Sequence, residues 1–89
     1  MFKIKKAEPF VIEGVNGKYM IPAWSALSTD DVEEILSLKP ETPAKERFQI
    51  LRRFIIRMCP EIEKNEQLGD VGYSQIFAAY EREQNLGEK

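Results

Sequence analysis

The sequence contains no histidine and only one cysteine, Cys59. Without histidine the chain can build neither a histidine-activated nucleophile nor a histidine-liganded metal site, which excludes most hydrolase mechanisms. One cysteine cannot form an internal disulfide, and the position of Cys59 among apolar residues, directly before Pro60, favours a buried structural thiol over a nucleophile. We therefore expect a protein that is not an enzyme and that needs no cofactor.

Phosphate-binding loops, metal-binding loops and long apolar runs are also missing. None of the five glycines belongs to a pattern that precedes a Lys-Ser or Lys-Thr pair. The acids Glu61, Glu63 and Glu66 have the spacing of a solvated helix face, so we predict no metal site there. No apolar run approaches 18 residues and no signal peptide is recognisable, which predicts a protein without a membrane span that resides in the cytoplasm.

What the sequence does contain is the composition of an ordinary globular domain. Its 89 residues are 43% hydrophobic and 31% charged, which predicts one small folded domain over residues 1–89. The net charge is −2, and basic and acidic residues alternate along the whole chain. Such a chain has no large positive field, so nucleic acid is not a favoured partner.

The most apolar stretch is Phe48–Cys59, which reads FQILRRFIIRMC. At 100° per residue, six of its apolar side chains fall on one arc of a helix, and polar side chains occupy the opposite side. The arc consists of Phe48, Leu51, Phe54, Ile55, Met58 and Cys59. The pattern predicts a central helix that forms the middle of the core, with Phe48, Leu51 and Ile55 at its centre.

Two short β-prone segments precede this helix, at residues 10–12 and 18–21. Gly14, Asn16 and Gly17 lie between them, and an Asn-Gly pair tolerates the positive φ angles of a tight hairpin turn. Glu8 to Pro22 is therefore predicted to form a β-hairpin. Met1 to Ala7 alternates apolar residues with lysines, which is typical of a short edge strand or of a frayed end.

Capping signals predict where the helices begin. Ser28 and Asp31 have the spacing of a capping box, and Leu27 and Val32 that of a hydrophobic staple, so the first helix is expected to start here and to end near Leu38. Thr42 followed by Pro43 has the pattern of a capping hydroxyl with proline at the first helical position. The central helix should begin there.

After Pro60 we expect a short acidic turn or helix around Ile62. Leu68-Gly69 should end it with a left-handed glycine cap, and Asp70 should cap the last helix. Tyr73, Ile76, Phe77 and Tyr80 form the apolar stripe of that helix, and Asn85 to Lys89 should fray. The predicted fold class is α+β, with a hairpin over residues 8–22 packed on a helical part of three to four helices over residues 28–85.

Four arginines of the central helix suggest a second functional hypothesis. Arg47, Arg52, Arg53 and Arg57 could contact phosphates, but they do not share one face, and Glu46 and Glu61 are placed to pair with them. We expect solvated ion pairs. A small regulatory or nucleic-acid-associated protein that uses this helix stays the alternative.

Trp24, Ile50 and Ile56 are apolar residues that the periodic core does not clearly use. They either complete the core against the hairpin or form an exposed patch for a protein partner. We consider both, and name these three as candidate partner-binding residues. Self-association into a homo-oligomer is a further possibility for such a small domain.

The order of these elements resembles that of the small tail assembly chaperones of long-tailed phages and prophages. The likeness lies in an N-terminal segment FVIEGVNGKYMIP, a short capped helix, the helix FQILRRFIIRMCP and the terminal segment GYSQIFAAYEREQ. The resemblance implies a non-enzymatic protein in the host cell cytoplasm that binds the hydrophobic tape measure protein and keeps it soluble while the tail polymerises. It also implies that a longer, frameshifted form can exist. No residue matches a diagnostic signature, so no binding residue is transferred.

Overall fold

The first folded element is the β-hairpin, in a computed structural model that describes residues 1–4 and 7–84. Strand β1 (Phe10–Glu13) pairs antiparallel with strand β2 (Lys18–Ile21). Phe10 lies opposite Ile21 and Ile12 opposite Tyr19, and because side chains alternate along a strand these four share one face. That face packs on the helices, which confirms the predicted hairpin.

The turn of the hairpin differs from the predicted one. Val15 and Asn16 are its central residues, and the N–H of Gly14 donates to the carbonyl of Gly17 at 2.8 Å. Neither glycine has a left-handed backbone. The expected positive-φ Asn-Gly turn is therefore wrong, because this turn is shaped by a carboxylate from the helical part of the chain, described below.

The N-terminal residues 1–4 form no strand. The edge strand that the alternating pattern allowed is therefore not present in this stretch, and Lys5 and Lys6 lie outside the described residues. The predicted fraying of Asn85 to Lys89 also concerns residues outside the described part of the chain.

Within the described residues, four α-helices follow the hairpin after a short 3-10 turn at Trp24–Ala26. They are α1 (Thr29–Leu36), α2 (Ala44–Met58), α3 (Pro60–Asn65) and α4 (Asp70–Glu83). Helix α2 packs mainly on α4, with α1 on another side and the hairpin against both α2 and α4. The α+β class, with a hairpin followed by helices, is confirmed.

Helix α1 starts as the sequence predicts. The N–H of Asp31 donates to the Ser28 hydroxyl at 3.3 Å, and the N–H of Ser28 donates to the Asp31 carboxylate at 3.4 Å. This reciprocal pair is the predicted capping box. The helix ends at Leu36, two residues earlier than expected, and the N–H of Ser37 closes its last turn on the Glu33 carbonyl at 3.1 Å.

Three other predicted helix ends are wrong. Thr42 does not cap α2: its hydroxyl accepts the N–H of Lys39 at 3.0 Å and closes the preceding loop, so Pro43 occupies the cap position. Gly69 has φ −87° and is the N-cap of α4, which makes Asp70 the first helical residue. Helix α3 already ends at Asn65, because Glu66 leaves the helix to reach the hairpin.

The core surrounds Phe54 and Ile55 of α2, both fully buried. Phe54 contacts Phe77 edge to face, with ring centroids 5.5 Å apart, and Tyr80 of α4 lies 6.1 Å away. The Tyr80 hydroxyl donates to the Pro22 carbonyl at 2.7 Å, so α4 is tied to the end of the hairpin. The predicted arc is buried at Leu51, Phe54, Ile55 and Cys59, but Phe48 and Met58 are half-buried because they lie near the ends of α2.

The capping box generates a first prediction. Ser28→Ala should lower the free energy of unfolding by about 0.5–2 kcal/mol, because the Asp31 amide loses its acceptor. Urea unfolding followed by circular dichroism measures the change. Thr29→Ala is the control, since the exposed Thr29 lies next to the cap; equal effects of the two substitutions would contradict the role of Ser28.

The packing of α2 generates a second prediction. Leu51 is 7% exposed, so Leu51→Ala should destabilise the fold by roughly 2–5 kcal/mol through lost contacts and the cavity left behind. Leu36→Ala removes the same atoms from a side chain that is 66% exposed and should change stability little. If both variants unfold at the same urea concentration, Leu51 is not a core residue.

Candidate functional site

An apolar groove runs between β1 and α4. It has a volume of about 350 Å³ and is open to solvent along its length. We call it the β1–α4 groove, and its lining consists of Phe10, Ile12, Leu68, Gly72, Gln75, Ile76 and Ala79. Gln75 is the only polar side chain among these, so the groove offers apolar contact and no ionisable group.

The two walls of the groove follow from local sequence patterns. Phe10 and Ile12 are two apart on β1 and therefore point to the same side. On the other wall, Gly72 and Ile76 are four apart on α4 and so lie on one face of the helix, and Leu68 lies just before the helix begins. A Cβ atom at position 72 would lie 3.3 Å from the Leu68 side chain, so glycine lets Leu68 lie close against the helix.

The rim of the groove is apolar as well. Leu68 is 37% exposed, and Val71, one position before Gly72, is 57% exposed.

On the outer face of the hairpin, the cross-strand pair Val11 and Met20 is 51% and 58% exposed. A second apolar depression of about 380 Å³ lies beside Met20 and contains Pro9, Pro22 and Met58.

The Glu66 carboxylate fixes the hairpin against the helices and so fixes one wall of the groove. It accepts the N–H groups of Val15 and Asn16 at 3.1 and 2.7 Å and the Tyr19 hydroxyl at 2.9 Å. The side-chain amide of Asn16 also donates to the Asn65 carbonyl at 2.8 Å. A Cβ at Gly14 would lie 2.5 Å from the Glu66 carboxylate, so only glycine leaves room for this contact.

The environment of Glu66 shifts the pKa of both ionisable groups. The Asn16 N–H is the largest of the contributions that hold the pKa of Glu66 below its usual range; the Tyr19 hydroxyl and the Val15 N–H act in the same direction, and burial opposes them. Burial, together with the adjacent Glu66 carboxylate, raises the pKa of Tyr19. At neutral pH Glu66 is therefore ionised and Tyr19 is neutral. The Tyr19 hydroxyl donates and the Glu66 carboxylate accepts, so the pair forms a stable structural hydrogen bond.

Two other buried groups with altered pKa values are also structural. Burial raises the pKa of Tyr80 to about 12, so its hydroxyl stays a donor to Pro22. Burial raises the pKa of the Cys59 thiol, which contacts the Met20 carbonyl at 3.0 Å. A protonated buried thiol is a poor nucleophile. Among the described residues, no group of three or more His, Cys, Asp or Glu is placed to hold a metal ion.

Three of the four arginines named in α2 are paired with carboxylates, but with different ones from those predicted, whereas Arg47 donates to the Lys39 carbonyl at 2.7 Å. Arg53 lies 2.7 Å and Arg57 3.6 Å from the Glu34 carboxylate of α1, and Arg52 lies 3.1 Å from Glu63 of α3. Among the ion pairs of residues 1–4 and 7–84, neither expected partner, Glu46 or Glu61, is used, because helices packed beside α2 bring other acids to its arginines. These pairs link α2 to α1 and α3 at the surface.

The three candidate partner-binding residues from the sequence lie outside the groove. Ile50 is 8% exposed, and Ile56 is partly buried against the core beside the arginines. Trp24 packs between Phe54 and Tyr80, with ring centroids 6.4 Å from each. Trp24 and Ile56 therefore contact the core cluster, and Ile50 is buried. The residues that line the groove were missed as a site, although the helical spacing of Gly72, Ile76 and Ala79 was visible in the sequence.

Comparisons with protein-family models, with curated proteins and with solved structures yield no significant match. In the described part of the chain no helix is both long and apolar enough to cross a membrane.

The Glu66 contact generates a third prediction. Because the pKa of Glu66 is lower in the folded state, its stabilisation is present above the ordinary pKa of about 4.3 and is lost as pH falls through the folded-state value. Glu66→Gln should lower the melting temperature at pH 7. Between about pH 5 and pH 2 the melting temperature of the variant should fall less than that of the unaltered protein.

Thermal unfolding monitored across this pH range measures the effect. Glu41→Gln is the matched control, because Glu41 is an exposed carboxylate in the loop before α2, away from the hairpin contact. If the Glu66 variant keeps the pH dependence of the unaltered protein, the carboxylate does not hold the hairpin.

Proposed function

We propose that the protein is a non-enzymatic assembly chaperone that binds an apolar segment of a partner chain in the β1–α4 groove. The partner that agrees with the resemblance noted in the sequence is a phage or prophage tape measure protein, bound in the host cell cytoplasm before the tail is complete. The single observation that supports this proposal is the groove itself, an open apolar channel whose lining contains one polar side chain.

The size and chemistry of the groove suit a protein segment. Its volume is close to that of a few apolar side chains, and burying one such side chain contributes roughly 1.5–3 kcal/mol. The exposed Leu68 and Val71 extend the apolar area beyond the groove. Exposed apolar surface that continues into a cleft is characteristic of protein-interaction sites.

The arginine-bearing helix gives less support to a nucleic-acid function. Arg52, Arg53 and Arg57 each lie within 4.0 Å of a carboxylate oxygen. Phosphate binding would have to replace these pairs, and the acids would then repel the phosphates. Nucleic-acid binding is therefore the alternative that the experiment below must be able to detect.

A fourth prediction concerns capture of a partner. An immobilised fragment of a tape measure protein should retain the unaltered chain at both low and moderate salt, because apolar association does not depend on counterion release. Replacing both Leu68 and Ile76 with serine should weaken capture by about 10-fold to 100-fold, since two apolar contacts are lost. Circular dichroism and a melting curve must show that this variant is folded.

The matched control replaces Val15 and Leu36 with serine. These side chains are 92% and 66% exposed and lie outside the groove, so capture should be unchanged. A parallel experiment with DNA tests the alternative. Tight DNA binding that disappears at moderate salt, and on replacing Arg53 and Arg57 with alanine, would contradict the chaperone proposal.

A further inference from the structure

The N-terminal segment Met1–Ile4 has the pattern of a strand but pairs with nothing that the structure describes. Phe2 is 87% and Ile4 88% exposed, and Lys3 lies between them. In an extended chain Phe2 and Ile4 would point to one side and Lys3 to the other. The segment is therefore an unpaired chain with one apolar side and one basic side.

The outer edge of β1 can accept such a strand. The N–H of Gly14 donates to the Gly17 carbonyl, so these two residues form a hydrogen-bonded pair of the hairpin. In an antiparallel hairpin every second pair of opposite residues is hydrogen-bonded. The other hydrogen-bonded pairs are therefore Ile12 with Tyr19 and Phe10 with Ile21. Since these pairs alternate, the backbone groups of Val11 and Glu13 point away from β2.

The contacts of the opposite edge agree with this assignment. Met20, the partner of Val11, directs its carbonyl outward to the Cys59 thiol. Within residues 1–4 and 7–84, no group hydrogen-bonds to the outward N–H or C=O of Val11 or Glu13. The β1 edge thus exposes two sets of backbone donors and acceptors directly beside the β1–α4 groove.

One antiparallel register fits both features. When residues 1–4 lie opposite residues 10–13, Lys3 faces the outward backbone groups of Val11. Phe2 then lies opposite Ile12 and Ile4 opposite Phe10, and residues directly opposite each other point to the same face. The face that carries Phe10 and Ile12 is the one that lines the groove. Both apolar side chains of the segment would therefore enter it.

We propose that Met1–Ile4 of one copy adds as a third strand to β1 of a second copy, and that the exchange is reciprocal in a two-fold symmetric dimer. Within its own chain the segment leaves the groove empty, with Phe2 and Ile4 in solvent. Lys3 of the added strand would lie on the outer face of the hairpin, diagonally beside Glu13 of the second copy. The cross-strand neighbour of Glu13 within its own hairpin is Lys18. The charges of segment and edge are complementary.

The exchange also bears on partner binding. A dimer of this kind covers the β1–α4 groove of each copy with an apolar strand, so a partner segment has to displace that strand. The inference goes beyond the proposed function and does not depend on it, because self-association is measured without any partner.

The fifth prediction is that the full chain is a dimer whose dissociation constant can be measured by sedimentation equilibrium. Replacing Phe2 and Ile4 with serine should raise that constant by about 100-fold or more, because the apolar part of the exchanged strand is lost. Replacing Val15 and Leu36, which are similarly exposed outside the segment, should leave it unchanged. A monomer at all concentrations, or a dimer that survives the Phe2 and Ile4 substitutions, would overturn the proposal.

Two further measurements test the strand itself. Val11→Pro removes an outward N–H without removing a bond of the hairpin, so it should weaken the dimer while the monomer stays folded. Hydrogen exchange of the Val11 and Glu13 amides should slow as protein concentration rises. Protection that is already complete in a monomer would mean that the segment closes on its own chain, and would refute the exchange.

Discussion

The carboxylate of Glu66 is the contact on which the arrangement of the two parts of the chain depends. It leaves α3 to accept two backbone amides from the tip of the hairpin and the hydroxyl of Tyr19, three donors that lie about 50 residues earlier in the sequence. A two-stranded hairpin is barely stable by itself, so it needs such a link in addition to its apolar face. The same contact explains why α3 is short and why the turn contains Gly14.

The position of the hairpin then determines the groove. With its tip held by Glu66 and its other end held by the hydrogen bond from Tyr80 to Pro22, the hairpin lies along α4 without closing fully on it. The face of α4 that enters the core carries the large aromatic side chains Phe77 and Tyr80, whereas the face that lines the groove carries Gly72 and Ala79, which fill little space. The groove is the consequence of this difference in side-chain size.

Local patterns predicted much of the fold. The capping box at Ser28, the apolar periodicity of α2 and the alternation in the hairpin each depend on residues close in sequence, and the structure confirms them. Two errors at helix ends have identifiable causes. The Thr42 hydroxyl closes the preceding loop on Lys39 and so does not cap α2, and α3 ends before the predicted glycine because the Glu66 side chain reaches the hairpin.

The candidate site could be predicted far less well. Its two walls come from residues 10–12 and 68–79, and no periodicity in either segment shows that they face each other. Ile50 shows the same limitation: it lies off the main arc of α2, but α1 and α4 pack around this helix and leave it buried. The carboxylates that pair with the arginines of α2 could not be predicted either, because Glu34 and Glu63 belong to other helices and periodicity within α2 does not show which helices pack beside it.

The long sequence separation of the two walls has a consequence for synthesis. The hairpin leaves the ribosome before Glu66 and the aromatic residues of α4 that hold it, because those residues lie much later in the sequence. Contacts that join distant parts of a chain form late and slowly compared with local ones. The nascent chain therefore exposes Phe10 and Ile12 without a groove to contain them, and it gains its binding surface only when α4 has emerged and docked.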